Sequence, residues 1–219
     1  MKTKTGRANI NFHNVDCMDF MRDKDDNYYE LAIVDIPYGI NVNMNAGKRK
    51  GEKDRYIKKN WDNEIPDVSY FNELRRVSLN QIVWGCNYFN GFLWSAGRIS
   101  WYKNPGTDND YSDCELAMHT FNNRVTHVNI PWSGFIRPKE EIGKTRIHPT
   151  QKPVQLYKWL LKNYAKEGDK IFDSHSGSAS IALACWDMKY DLDLCELDKD
   201  YFDASWKRFE IHTSQTQLF

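Results

Sequence analysis

From Lys170 to Glu196 the chain reads strand, small-residue turn, helix, strand, acidic residue, and few architectures accept that succession. Lys170 to Phe172 is a short strand. Asp173-Ser174-His175-Ser176-Gly177-Ser178-Ala179-Ser180 is a turn of small residues, Ser178 to Met188 a helix, and Tyr190 to Cys195 an alternating strand. Small side chains let main chain approach a ligand closely, and the start of the following helix presents partial positive charge to an anionic group such as a carboxylate. Glu196, at the end of the second strand, stands where an acidic residue accepts hydrogen bonds from both ribose hydroxyls of a nucleoside cofactor. An ordinary βαβ crossover has the same outline, so the assignment needs support from elsewhere in the chain.

The other segments repeat the alternation. Leu31 to Val34 reads as a buried strand stopped by a proline turn. Tyr70, Phe71, Leu74 and Val77 recur at helical spacing, and Gln81 to Trp84 is the next strand. Val154, Leu156, Trp159, Leu160 and Leu161 mark a further helix, and Tyr201 to Phe209 a closing one. Between Gly97 and Arg146 only strand-like stretches occur, at Arg98 to Trp101, Cys114 to His119 and Arg124 to Ile130. An antiparallel hairpin and a substrate-facing loop are expected there. The fold class that follows is α/β: a doubly wound, mostly parallel sheet with an antiparallel hairpin. With 219 residues, 41% of them apolar, residues 1–219 are expected to form a single domain with one core.

The longest apolar run, Ile181 to Trp186, is too short to cross a bilayer, and the first residues lack the apolar centre of a signal peptide, so a cytoplasmic location away from membranes is expected. Five scattered cysteines with no C-x-x-C pair read as reduced thiols and as no metal site. His119 and His127 lack the spacing of a metal pair and read as structural.

Asp35-Ile36-Pro37-Tyr38 lies just past the carboxyl end of a strand, where open α/β sheets place their ligands. An exocyclic base amine is a poor nucleophile because its lone pair is delocalised into the ring, and two acceptors on its N–H bonds would localise that pair. Asp35 can be one acceptor and the main-chain carbonyl of Ile36 the other, while the ring of Tyr38 can stack on a base taken out of a duplex. By itself the string is short, and a strand-ending turn whose Asp caps a loop is the bland alternative.

Together these segments resemble the amino-group DNA methyltransferases. Asp35-Ile36-Pro37-Tyr38 resembles their D-P-P-Y catalytic motif, and Asp173 to Ser180 their D-P-F-x-G-S-G-T cofactor loop. His148-Pro149-Thr150-Gln151-Lys152-Pro153 matches a segment placed just ahead of that loop. Trp84-Gly85-Cys86-Asn87-Tyr88-Phe89 also falls within the likeness, and the motif order is similar to the circularly permuted β class. The resemblance implies a Rossmann-like, S-adenosylmethionine-dependent enzyme. It makes Asp35, Ile36, Pro37 and Tyr38 the catalytic segment, places Asp173, Ser176, Gly177 and Ser178 at the methionine part of the cofactor, and gives Glu196 its ribose. It further implies Thr150 and Lys152 at the methionine end and Asp16 with Cys17 near the cofactor adenine. Asp at the head of the catalytic motif, where amino-cytosine enzymes of the class often carry Ser, favours the N6 amine of adenine. Three departures stand out: Ile36 for the first proline, Ser174-His175 for Pro-Phe, and Ala179 for the last glycine, which is strained if that position takes positive φ.

Formal net charge is zero, which excludes a uniformly basic binder, yet Lys48, Arg49, Lys50, Lys53, Arg55, Lys58 and Lys59 cluster after the catalytic segment. Residues 41–61 are therefore expected to form a mobile loop facing DNA phosphates, with a solvated lysine-rich loop as the alternative. Asn41, Asn43 and Asn45 can read bases or simply form turns. Residues 120–147 are a candidate target-recognition region, and Trp132 in Pro131-Trp132-Ser133-Gly134 a candidate DNA-facing ring. Members of the class commonly dimerise, so a homodimer stays open. So do an N4-cytosine, RNA-base or protein-amide acceptor, and a silent DNA-binding module that keeps the fold. Carbon-5 cytosine chemistry is set aside, because the chain has no Pro-Cys nucleophile dipeptide.

Overall fold

Leu31 and Ile33 join one apolar layer while Ala32 and Val34 join the other, the two-residue period of a strand covered on both faces. The computed structural model describes residues 1–42, 59–104, 112–132, 137–139 and 145–215. Within them a nine-stranded sheet contains β1 (Lys2–Lys4), β2 (Ile10–His13), β3 (Tyr29–Val34), β4 (Ser78–Trp84), β5 (Gly97–Tyr102), β6 (Cys114–His119), β7 (Val125–Asn129), β8 (Lys170–Asp173) and β9 (Asp191–Cys195). The helices are α1 (Cys17–Arg22), α2 (Val68–Val77), α3 (Val154–Tyr164), α4 (Ser180–Met188) and α5 (Lys199–Gln215).

The strand order is β1-β2-β9-β8-β3-β4-β6-β5-β7. From β2 to β4 all neighbours are parallel. Then β6 reverses between β4 and β5, and β7 pairs parallel with β5. The expected hairpin is β5 with β6, in register from Gly97↔His119 to Tyr102↔Cys114.

At the centre, β3 and β8 lie side by side, with Leu31 opposite Ile171 and Ala32 opposite Phe172. From β8 the chain passes through α4 to β9 on one side; from β3 it passes through α2 to β4 on the other. Right-handed crossovers in opposite directions put their helices on opposite faces. Accordingly α4 shares a layer with α3 and α5, and α2 shares the other with α1. The β3/β8 boundary is thus a topological switch point, and the crevice beyond its carboxyl ends is where such sheets hold ligands.

Three elements escape the sequence pattern. β1 is a polar three-residue edge, β2 has four residues, and α1 has six and depends on Asp16, whose side chain accepts the Met18 N–H at 2.7 Å. α4 starts at Ser180, two residues later than its composition suggests, because the Ala179 N–H closes a turn on the Ser176 carbonyl at 2.7 Å. Part of the 120–147 region is the sheet's own edge, β7. Trp132 belongs to the interior: it is buried, its indole N–H donates to the Gln151 carbonyl at 2.7 Å, and Arg146 covers its ring at 4.6 Å. An indole can be buried when its N–H finds an acceptor, and here it does. His119 is likewise buried, with Nε2 3.2 Å from the Arg124 carbonyl. All five cysteines are free thiols. Among the described residues no group of His, Cys, Asp and Glu could hold a metal, and no helix is long and apolar enough to cross a membrane.

Candidate active site

Asp35 follows the last residue of β3, so the strand ladder fixes where its carboxylate starts. Its Oδ1 accepts the Tyr38 hydroxyl at 2.7 Å and its Oδ2 meets the Lys152 ammonium at 2.5 Å. Lys152 also donates to the Tyr38 oxygen at 3.2 Å and makes an ion pair with Glu115 of β6 at 3.1 Å. Burial lifts the Asp35 carboxyl above the ordinary carboxylate range against the pull of Lys152. Burial alone would lower the Lys152 ammonium, but Asp35 and Glu115 outweigh it and hold that group above its usual value. Ile36 is buried against the layer under α2.

The loop after Tyr38 is organised by Asp62. This buried carboxylate accepts the backbone N–H groups of Tyr38 (2.7 Å), Gly39 (3.1 Å) and Val42 (2.9 Å), and its own carbonyl accepts the N–H of Asn41 at 3.0 Å. Such charge-assisted bonds to main chain set a loop more firmly than side-chain packing does. The Tyr38 ring is stacked on Tyr88, with centroids 4.9 Å apart and planes 16° from parallel. It lies so close to Gly85 that a Cβ there would stand 2.1 Å from Cε1 of the ring.

On the neighbouring strand, the cofactor-loop candidates are drawn together. Asp173 is fully buried at the end of β8 and accepts the His175 N–H at 3.0 Å. Gly177 takes positive φ (+49°) and donates its N–H to Glu196 Oε2 at 2.8 Å, while Glu196 Oε1 accepts the Asp198 N–H at 2.9 Å. Ala179 does adopt left-handed backbone (φ 50°, ψ 38°), a conformation that costs a non-glycine residue about 1–2 kcal/mol. The departure from glycine is therefore tolerated in the fold. Burial keeps the His175 ring neutral, its proton affinity pushed down to about 4, and Ser174 Oγ lies 2.8 Å from its Nδ1 and 2.6 Å from the Tyr70 hydroxyl.

Several features of this loop suit a zwitterionic nucleoside ligand. Ser176 Oγ is buried with no hydrogen-bond partner, a costly state that a ligand would relieve. The N-terminus of α4 offers donors to a carboxylate. Glu196 keeps further lone pairs for hydroxyl donors. Burial also pushes the Asp173 carboxyl up to about 8, so a cationic group brought beside it would favour the ionised form.

That shift sets a pH dependence. Between about pH 4 and 8 the native state holds a proton on Asp173 that the unfolded chain has released, so the stability it contributes is full below about 4 and lost as pH rises through 8. Asp173→Asn removes the titration. Its stability relative to the parent protein is therefore expected to climb with pH across this window, by at most about 1.4 kcal/mol per pH unit, and its melting temperature with it. Thermal melts at several pH values check it, and parallel curves for the two proteins would contradict it.

Of the remaining candidates, Asp16 and Cys17 open α1 beside this loop: the Asp16 charge reaches His175, and burial with the charges of Asp16 and Asp173 pushes the Cys17 thiol up to about 12. Asp16 spends one carboxylate oxygen on capping α1. Thr150 Oγ1 lies 3.1 Å from His148 Nδ1, and the His148 ring rests against Gly177. Lys152 bridges the two halves, its carbonyl accepting Ser180 Oγ at 2.7 Å while its ammonium reaches Asp35. Sequence reasoning placed it only at the cofactor end; its charge lies with Asp35 and Tyr38. Lys48, Arg49, Lys50, Lys53, Arg55 and Lys58 lie outside the described residues, as does most of the 41–61 segment. Lys59 is described, and its ammonium is held by Asp198 (2.5 Å) and Asp200 (2.9 Å) over the Tyr201 ring, so here it serves the segment after Glu196 rather than standing free for phosphate. Asp62 and Glu115 were missed because their roles arise from neighbours 20 to 37 residues away, and Gly85 lay in a recognised segment without a role.

A doubly wound sheet with a carboxylate and tyrosine on one central strand end and a small-residue turn on its neighbour defines a Rossmann-like methyltransferase fold. Solved structures share it: the complex of M1.HpyAVI with S-adenosylmethionine (TM-score 0.57, 19% identity, 91% of this chain and 99% of that one). The cytosine-N4-specific PvuII DNA methyltransferase is another (TM-score 0.57, 13% identity, 94% and 91%). The model of the DNA methylase family of N6 and N4 enzymes matches residues 21–207, and the chain belongs to that family. Similar curated proteins include the type II methyltransferases M2.DpnII of Streptococcus pneumoniae (28% identity, 60% of this chain and 51% of that one) and M2.LlaDCHI of Lactococcus lactis subsp. cremoris (29%, 59% and 50%). The chain spans about half the length of these relatives.

Proposed function

We propose that this chain transfers the methyl group of S-adenosylmethionine to the N6 amine of adenine in DNA, within a specific sequence. The observation that carries this is the juxtaposition of Asp35 at the end of β3 with the Asp173 to Ser180 loop at the end of the adjacent β8. The cofactor would supply an electrophilic methyl group on a sulfonium. Asp173, Ser176, Gly177 and the start of α4 would hold its amino-acid end, and Glu196 its ribose. Asp35 and the Ile36 carbonyl would accept the two amine N–H bonds, concentrating the nitrogen lone pair, while Tyr38 would stack on the extruded base. Basic residues 48–58 would give affinity for phosphate without reading sequence. Family membership covers both N6 and N4 amines, and Asp at position 35 is what favours adenine.

Incubation of the purified protein with tritiated S-adenosylmethionine and unmethylated genomic DNA, followed by digestion to nucleosides, is expected to yield N6-methyladenine. N4-methylcytosine would establish the cytosine alternative. Bound cofactor with no label in any DNA would overturn the proposal in favour of a silent module.

A further inference from the structure

Glu115 on β6 takes no part in the chemistry described so far, yet it faces the catalytic cluster from the antiparallel half of the sheet. Its Oε2 is shut off from solvent and lies 3.1 Å from the Lys152 ammonium, opposite Asp35 at 2.5 Å. Its Oε1 meets Lys103 at 3.3 Å. Lys152 is itself almost wholly buried, with the Trp84 ring 5.5 Å from its charge.

A buried ammonium against the attacking site has an electrostatic problem attached. As the amine nitrogen bonds to the methyl carbon and the carbon–sulfur bond breaks, the electron pair leaves with sulfur as a neutral thioether and positive charge appears on nitrogen. Asp35 can offset that charge and take the released proton, later passing it to solvent. A lone Lys152 beside Asp35 would cancel the carboxylate and oppose the developing cation, an effect magnified away from water. A second carboxylate behind the ammonium restores the balance.

We propose that Glu115 is a positioning residue for methyl transfer: it draws the Lys152 ammonium between two carboxylates and so leaves Asp35 the charge and direction that the target amine requires. This rests on the function proposed above. Asp35 is faced by Lys152 and Tyr38, with Glu115, Tyr157 of α3 and Asp173 of β8 within electrostatic reach. Burial dominates its proton affinity, and Glu115 adds to it.

Initial rates with tritiated S-adenosylmethionine and unmethylated genomic DNA, from about pH 5.5 to 9, test it. Glu115→Gln is expected to lower kcat about tenfold or more with KM for both substrates within roughly twofold, and to move the acid limb of the kcat profile to lower pH. Glu115→Asp recovers part of the rate, and in a Lys152→Met background Glu115→Gln lowers kcat no further at the pH optimum, since its effect on the rate there acts through Lys152. Wild-type kcat in Glu115→Gln at every pH, a loss confined to KM, or full additivity with Lys152→Met would each overturn it. Should Glu115→Gln fail to fold by circular dichroism, Glu115→Asp carries the same test, and an unchanged kcat in that variant overturns the proposal. A parent protein that labels no DNA marks failure of the function itself, and the role of Glu115 falls with it.

Discussion

Asp35→Asn is expected to reduce turnover by roughly 100- to 1,000-fold while S-adenosylmethionine affinity changes only a few-fold. The amide keeps one acceptor but loses the charge, and its NH2 group would point a donor at either Tyr38 or Lys152, both of which already donate to Asp35. The proposed cofactor contacts at the end of β8 are untouched by the change, so the loss should fall on kcat. Single-turnover methylation gives the chemical step, and calorimetry gives the cofactor affinity. Normal turnover by a folded Asp35→Asn protein would remove the carboxylate from the mechanism altogether.

Gly85→Ala is expected to be nearly as damaging although residue 85 touches no reacting atom. The added methyl would lie 2.1, 2.4 and 2.8 Å from Cε1, Cδ1 and Cζ of Tyr38, and φ at this position is +80°. Tyr38 cannot simply slide aside, since Tyr88 stacks on it and its hydroxyl is tied to Asp35. A ring displacement on the order of 1 Å at the proposed base-stacking position corresponds to about a 100-fold loss of kcat, and overpacking with strained backbone to about 1–3 kcal/mol of stability. Kinetics and thermal melts measure the two effects separately. Adding Tyr38→Ala should return part of the stability and none of the activity. Parent-like turnover in Gly85→Ala would show that the ring's position is not set by Gly85.

The central elements were legible because their signals are local. Leu31 to Val34, Cys114 to His119 and Lys170 to Phe172 carry strand signals in their own residues, and the Asp173 to Ser180 turn announces itself by composition. The polar edge Lys2–Lys4 and the six-residue α1 carry too few periodic positions to register, and the four-residue β2 takes its parallel partner from far along the chain, as in Phe12↔Leu194. Within the site, Asp35 and Glu196 could be singled out because each directly follows a strand, and Tyr38 because it sits in the turn after Asp35. Asp62 looked like one acid among 30 acidic residues; only the fold turns three backbone N–H groups toward it. Trp132 misled for a related reason, since its flanking proline and glycine suggest an exposed loop while its N–H acceptor, Gln151, is supplied 19 residues later. Lys152 was assigned by the cofactor motif it sits in, and a long side chain can serve a site other than the one its backbone borders.

The position of Asp35 and Asp173 on hydrogen-bonded central neighbours has a bearing on how such a protein can change over time. Their separation is dictated by a ladder flanked on both sides by further strands, so substitutions or insertions in peripheral connections leave it unaltered. On the function proposed, preference for one nucleotide sequence over another would drift in those connections while the rate of the bond-making step would be conserved by the sheet.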